Sequence, residues 1–192
     1  MKINVRAITS NEEVVDACRT TVWKDSLGKE PSEKFMNNIY KSEHSPIRDK
    51  MFVINIYGVE SWLATHFVRH HEGYTPYVST QREDRIEYEG SRDDRKQGEL
   101  VNMRITLNAQ AVINVSRKRL CGQAHIKAQQ LWNKVLEEIK KIDEPLYNNC
   151  VPECIYRGFC PELECCGRTK TSSYKQWRQN YTNDKDVIHI VY

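Results

Sequence analysis

Residues 66 to 82, HFVRHHEGYTPYVSTQR, place one arginine and three histidines within six positions and then close on Ser-Thr-Gln-Arg. Imidazoles, hydroxyls and guanidinium groups at this density form the donor set that binds phosphates and heteroaromatic rings. A solvated polar turn is the competing reading. A second anomaly lies downstream. On a helical wheel of about 100° per residue, Asn108, Val112, Val115 and Arg119 fall within about 60° of one another. Two valines mark that direction as inward, yet an amide and a guanidinium bracket it. An unpaired buried guanidinium costs several kcal/mol, so Arg119 must meet a protein carboxylate, a rim of solvent or an anionic ligand. A third cluster is sulfur: Cys150, Cys154, Cys160, Cys165 and Cys166 crowd into 17 positions, while Cys18 and Cys121 stand alone. In a cytoplasmic chain such a cluster reads as a metal site or as reduced thiols rather than a disulfide framework, although the spacing is not a paired CxxC pattern. The zinc ligands would be Cys150, Cys154, Cys160 and Cys165.

The elements that must carry these residues follow from periodicity and punctuation. SNEEVVDACRTT, residues 10 to 21, opens with Ser10 and Glu13 in capping-box spacing and predicts a helix. A second helix is expected from Ser32 to Tyr40, and Pro46 disfavours helix at Ser45. MFVINIYG alternates and is rich in β-branched and aromatic residues, predicting a strand over 51–57 that ends at Gly58. The stripe Val59, Leu63, His66, His70 then predicts a helix running into the histidine-rich motif, stopped by Gly73 and Pro76. Residues 82–99 hold twelve charges of both signs in eighteen positions and predict a surface loop. LVNMRITL predicts a strand over 100–107. Two helices, Asn108 to Leu120 and Gln123 to Ile142, are divided at Gly122, the second with Ala124, Ala128, Leu131, Val135 and Ile139 on one face. Beyond Pro145 the chain reads as irregular, with a short strand VIHIVY at its end.

Composition bounds the rest. A chain of 192 residues with 39% hydrophobic content and a mean hydropathy of −0.71 reads as globular, one domain or one domain with a tail. The division expected is a domain over 1–145 and a Cys-rich tail over 146–192. Lysine and arginine number 29 against 26 acidic residues, an excess too small to imply nucleic acid yet compatible with small phosphorylated ligands. No apolar run approaches the roughly 18 residues of a membrane span, and MKINVRAITSNEE lacks the apolar stretch of a secretion signal. A cytoplasmic protein is expected, in the host cytoplasm if virally encoded, with no membrane partner.

FVRHHEGYTPYVSTQR resembles the signature of the flavin-dependent thymidylate synthases, in which Arg-His-Arg is followed after a short turn by Ser-x-Arg. Arg69 and His70 match its first two positions, Thr80 stands for the serine and Arg82 for the closing arginine, with one extra residue between. EHSPIRDKMFVINIYGVESWLATHFVRHH is similar to the family's Pro turn, strand and helix leading into the motif. LNAQAVINVSRKRLCGQAH resembles its Asn-rich helix, with Asn108, Asn114 and Arg119 at the family's spacing. The three blocks span residues 43 to 135 in the right order.

The resemblance implies an α+β fold, a mainly antiparallel sheet with packed helices, assembled as an intertwined homotetramer. It implies methylation of dUMP to dTMP, with methylenetetrahydrofolate as carbon donor and NADPH-reduced FAD supplying the reducing equivalents. Arg69, His70, His71, Asn108 and Asn114 would hold FAD. His66, Thr80, Gln81 and Arg82 would hold dUMP, and Arg119, as the catalytic residue, would lie against the pyrimidine and stabilise negative charge pushed into its ring. No cysteine nucleophile is required. The pattern departs at His71, where the third motif arginine is expected, at Val78 for an acidic residue, at His66 for a glutamine, and at Arg48-Asp49 for Glu-His. These departures leave open a related flavoenzyme that modifies another pyrimidine nucleotide, for example by hydroxymethylation, or a non-catalytic nucleotide-binding protein.

Overall fold

The alternating run of Met51–Glu60 forms the central strand β2, pairing antiparallel on one side with β1 (Lys2–Ala7) and on the other with β4 (Leu100–Asn108). A short strand β3 (Tyr74–Val78) closes the sheet on the far side of β4, giving the order β1-β2-β4-β3. The computed structural model describes residues 1–82, 84–87 and 90–182, so the strand expected at VIHIVY lies outside the described residues. Register puts Val5, Ile54 and Ile105 in one row, and Ala7, Phe52, Leu107 and Tyr74 in the next. Because side chains alternate across a strand, these rows share one face, and it is the buried one.

Helices cover that face. The long α5 (Ile126–Lys140) turns Ala128, Leu131, Trp132, Val135 and Ile139 into the core, and α4 (Ala109–Arg119) contributes Val112, Ile113 and Val115. The two are tied by a buried relay: Trp132 Nε1 donates to Ser116 Oγ at 2.8 Å, and Ser116 Oγ donates to the Val112 carbonyl at 2.7 Å. α1 (Asn11–Thr20) and α2 (Glu33–Ser42) stand where the pattern placed them. Ser32 caps α2 by accepting from the Phe35 N–H, whereas the Ser10 side chain makes no cap hydrogen bond. The box spacing was there without its chemistry.

Elsewhere the structure corrects the expected elements. β2 runs through Gly58, whose φ of +73° lets the strand shift register between Ile56 and Val59 without ending. Val59 is therefore a strand residue, and the helix α3 that follows is only Ser61–Thr65, with His66 and Arg69 in the turn beyond it. β3 was not foreseen, since Pro76 argues against a strand interior; at the sheet edge its missing N–H costs no ladder bond. The stretch after Pro145 is helical rather than irregular: α6 (Glu144–Asn149), α7 (Glu153–Arg157) and α8 (Ser172–Thr182). Pro145 sits in the first turn of α6, where no N–H is needed, and Asp143 caps it through the Leu146 N–H at 3.0 Å. Leu146 and Cys150 join the main core, while Val151, Cys154, Ile155 and Tyr174 form a small second one. α5 also starts later than expected, with His125 rather than Gln123 at its head. The charged 82–99 stretch is a surface loop in its described residues, apart from Arg95, which is shielded and paired with Glu99 at 2.9 Å.

Candidate functional site

Phe67 fixes the geometry of the histidine-rich turn. It is fully buried and stacks on Trp132 of α5 at 6.0 Å, which pins residues 66–70 against the C-terminal end of α4. There Arg119 reaches back, half-buried, to donate from Nε to His70 Nε2 at 3.1 Å and from a terminal nitrogen to the His66 carbonyl. Its guanidinium carbon lies 5.5 Å from the Phe67 ring centre. Among the described residues no carboxylate lies within ion-pair distance of Arg119. The intramolecular ion pair that would have made this arginine unremarkable is absent there.

The electrostatics follow from that cation. Burial pulls the Arg119 guanidinium down from its ordinary range, an effect Tyr74 opposes. His70 is lowered to about 4, first by burial and then by Arg119 and His71, so it stays neutral and free to accept the Nε–H. His66 is lowered by burial, then by Arg119, Arg69 and His125. Its ring sits 5.9 Å from Trp62 and 6.5 Å from His125, an aromatic cluster beside the turn. Tyr74 was not foreseen. It is 5% exposed, its ring lies 5.5 Å from His70, and its buried hydroxyl has no hydrogen-bond partner among the described residues. Burial raises that hydroxyl well above the usual phenol range. A buried unpaired hydroxyl is costly unless something else meets it.

Asn108 caps α4, accepting from the Ala111 N–H at 2.9 Å, while its own N–H donates to the Gly73 carbonyl at 2.9 Å. Gly73 has a φ of +63°, and a Cβ there would lie 2.4 Å from Asn108 Nδ2, so only glycine lets the motif turn press on the head of α4. Asn114 belongs to another network. It accepts from Gln110 at 3.3 Å and Arg117 at 3.4 Å, and both of those bond Glu43. Arg69 and His71 are exposed on the turn.

Thr80, Gln81 and Arg82 line a third place, a cleft of about 440 Å³ between α3 and the end of β3, with Ala64, Val68 and Ser79. Gln81 Nε2 donates to Ser61 at 3.4 Å. Arg82 forms a two-pronged pair with Asp84 at 2.9 and 2.5 Å, more than half exposed and therefore readily exchanged for another anion. Ser79, missed in the sequence because Thr80 was matched to the motif serine, lines the same cleft. A second groove of about 310 Å³, between α2 and α6, holds none of the motif residues.

The zinc set is not assembled. Among the described residues no group of three or more His, Cys, Asp or Glu side chains is placed to hold a metal ion. Cys150 is buried in the main core, and burial pushes its thiol up to about 12. Also among the described residues, no helix is long and apolar enough to cross a membrane.

An antiparallel sheet with helices on one face and a guanidinium held by imidazole at the end of α4 defines an α+β fold that recurs in solved structures. The chain superposes on the flavin-dependent thymidylate synthase of Helicobacter pylori, solved with FAD and dUMP, with a TM-score of 0.64 over 79% of this chain and 100% of that one, at 12% identity. It superposes on a UMP/dUMP methylase of Streptomyces cacaoi, solved with 5-Br dUMP, with a TM-score of 0.60 over 82% of this chain and 96% of that one, also at 12% identity. The fold is thus that of flavin-dependent thymidylate synthases. In sequence, the chain is 36% identical over 64 residues to the flavin-dependent thymidylate synthase of Clostridium tetani, a match covering 33% of this chain. The chain spans a quarter of the length of that curated relative. No family model matches it. Both likenesses support the family resemblance drawn from the motifs.

Proposed function

We propose that this chain methylates dUMP to dTMP with FAD as its bound cofactor, methylenetetrahydrofolate as carbon donor and NADPH as reductant. The observation that carries the reading is Arg119: a half-buried cation on an inward helix face, oriented by His70 and the His66 carbonyl, with no carboxylate partner among the described residues. The Tyr74 hydroxyl beside it, without a hydrogen-bond partner among the described residues, is a second sign that a ligand completes this corner.

In this reading Arg119 faces the pyrimidine. Neutral His70 holds the guanidinium plane, so the charge is positioned before substrate arrives and costs no reorganisation as negative charge enters the ring. Thr80, Gln81 and Arg82 receive the phosphate end in the cleft, Arg82 exchanging Asp84 for the nucleotide, with His66 between the two places. Arg69, His70, His71, Asn108 and Asn114 would hold FAD, which supplies reducing equivalents to the transferred one-carbon unit. Asn108 sits at the head of α4 against Gly73, whereas Asn114 lies in the Glu43 network, so a site shared between subunits would let both contact one cofactor. That is the argument for a homotetramer with shared sites. His71, an imidazole where the family has arginine, leaves Arg69 as the one guanidinium of the motif turn.

The test is release of the hydrogen from the acceptor carbon of labelled dUMP by the purified, FAD-supplemented protein. Release that requires methylenetetrahydrofolate and is lost in Arg119→Ala supports the reading; a folded protein that binds neither FAD nor dUMP overturns it. A second reading, methylation of UMP or another pyrimidine nucleotide, draws on the likeness to the UMP/dUMP methylase. Product mass separates it from dTMP formation.

A further inference from the structure

The half-buried Asn114 amide is held so that only one of its two ends can meet a ligand, and the residues that hold it lie outside the motif turn. Arg117 Nη1 donates to Asn114 Oδ1 at 3.4 Å, and Gln110 Nε2 donates to the same oxygen at 3.3 Å. A guanidinium can only donate, so Asn114 must present its oxygen to Arg117. Gln110 has no such constraint of its own, because its amide could turn either end. Glu43 removes that freedom: its Oε2 accepts from Gln110 Nε2 at 2.6 Å, and its Oε1 accepts from Arg117 Nη2. A carboxylate paired with a guanidinium only accepts, so it fixes the Gln110 nitrogen towards itself and towards Asn114. Both donors converge on Asn114 Oδ1. Nδ2, which makes no hydrogen bond among the described residues, is the end left for a ligand.

Glu43 does this from a strained backbone. It closes α2 with φ +51° and ψ 39°, its N–H donating to the Tyr40 carbonyl at 3.2 Å. Left-handed backbone at a helix end favours glycine or asparagine, because a longer side chain is strained there. Such strain persists where the surroundings hold it. Here the Glu43–Arg117 pair is largely buried, the Arg117 guanidinium carbon lies 3.6 Å from the centre of the Tyr156 ring, and fully buried Ile47 anchors the turn beyond.

We propose that Glu43 is a positioning residue for the cofactor: through Gln110 and Arg117 it turns the Asn114 amide so that Nδ2 donates to an acceptor atom of FAD. The inference rests on the reading that Asn114 contacts FAD, and adds which atom does so and what holds it. Glu43 itself touches no ligand. The carbonyl oxygens, unprotonated ring nitrogens and phosphate oxygens of FAD all suit an N–H donor, whereas an Asn114 amide turned the other way would set its oxygen against them.

The test is a double-mutant cycle on FAD affinity, read by quenching of flavin fluorescence, with urea unfolding of each protein alongside. Asn114→Asp keeps an acceptor for Arg117 and Gln110 and removes the outward donor, so it is expected to fold and to bind FAD about tenfold more weakly. Glu43→Gln keeps the shape of the side chain but frees the Gln110 amide to turn, and is expected to weaken FAD binding about fivefold to tenfold. Gln110→Leu, which leaves the Glu43–Arg117 pair in place, is expected to do the same. With Asn114→Asp already present, neither change should weaken FAD binding further, because no outward donor remains to be oriented. Equal losses in both backgrounds mark a merely structural role and overturn the proposal, as does unchanged FAD affinity in folded Glu43→Gln and Gln110→Leu. Wild type that binds no FAD overturns the cofactor reading and this proposal with it; wild type that binds FAD with equal losses overturns this proposal alone.

Discussion

His70 offers the sharpest physical check on the Arg119 corner, because it must remain uncharged to accept the guanidinium Nε–H. Its pKa lies at about 4 against an ordinary 6.5, with burial as the first cause and Arg119 as the second. At about 1.4 kcal/mol per unit, that depression has a ceiling of roughly 3 kcal/mol of folding stability. The imidazole is partly exposed, so solvent screening reduces this to about 1–2 kcal/mol. The sign follows from which state binds the proton. The unfolded chain protonates His70 below its ordinary value while the folded chain resists, so the contribution is complete above the unfolded pKa and is lost as pH falls from there through about 4. His70→Gln keeps an acceptor for Arg119 and removes the titration. Urea unfolding of both proteins at about pH 7 and about pH 4 should show wild type losing about 1–2 kcal/mol more than the variant, every other titrating group being common to both. Equal losses, or a His70 ring that titrates by NMR at its ordinary value, would refute the proposed coupling to Arg119.

Three further outcomes follow from the same geometry. Gly73→Ala places a Cβ against the Asn108 side chain in a left-handed conformation, and should cost about 2 kcal/mol by adding backbone strain to a disturbed cap; a thermal melt measures it. Tyr74→Phe removes a hydroxyl that has no partner among the described residues, so the ligand-free protein should be unchanged or up to about 1 kcal/mol more stable, while dUMP binds roughly 10- to 100-fold more weakly by calorimetry. A loss of stability without loss of affinity would make that hydroxyl a purely structural group. Phe67→Ala should destabilise by about 3–5 kcal/mol, because it empties the buried seat on Trp132 that fixes the motif turn.

The parts of this fold that were legible in the sequence are those where one physical rule acts alone. β2 and β4 alternate because one face of each is core, and α4 and α5 repeat at helical spacing for the same reason. The inward direction of Arg119 could be read from Val112 and Val115, both fully buried. What was illegible depends on context. β1 is an edge strand whose inner residues are only partly covered, and β3 is five residues long with a proline tolerated because it lies at the other edge. The short helices α6 and α7 form through Asp143 and a left-handed Gly158, local punctuation that offers no periodicity to detect. At the candidate site the packing of Tyr74 against His70 arises from sheet register, which the motif does not show. The alternative of a zinc site is not met among the described residues, because adjacency in sequence did not become convergence: Cys150 turns into the core, Cys160 is half-buried and Cys165 is exposed.

The central claim is that Arg119 meets a pyrimidine nucleotide bound against a flavin. Its most direct test is the absorption difference spectrum of the FAD-loaded protein on titration with dUMP. Wild type should show a saturable change in the oxidised-flavin band, and Arg119→Ala, with FAD still bound, should show that change only at roughly tenfold or more higher nucleotide concentration. A flavin band indifferent to dUMP in wild type, or identical titrations in the two proteins, would contradict the account.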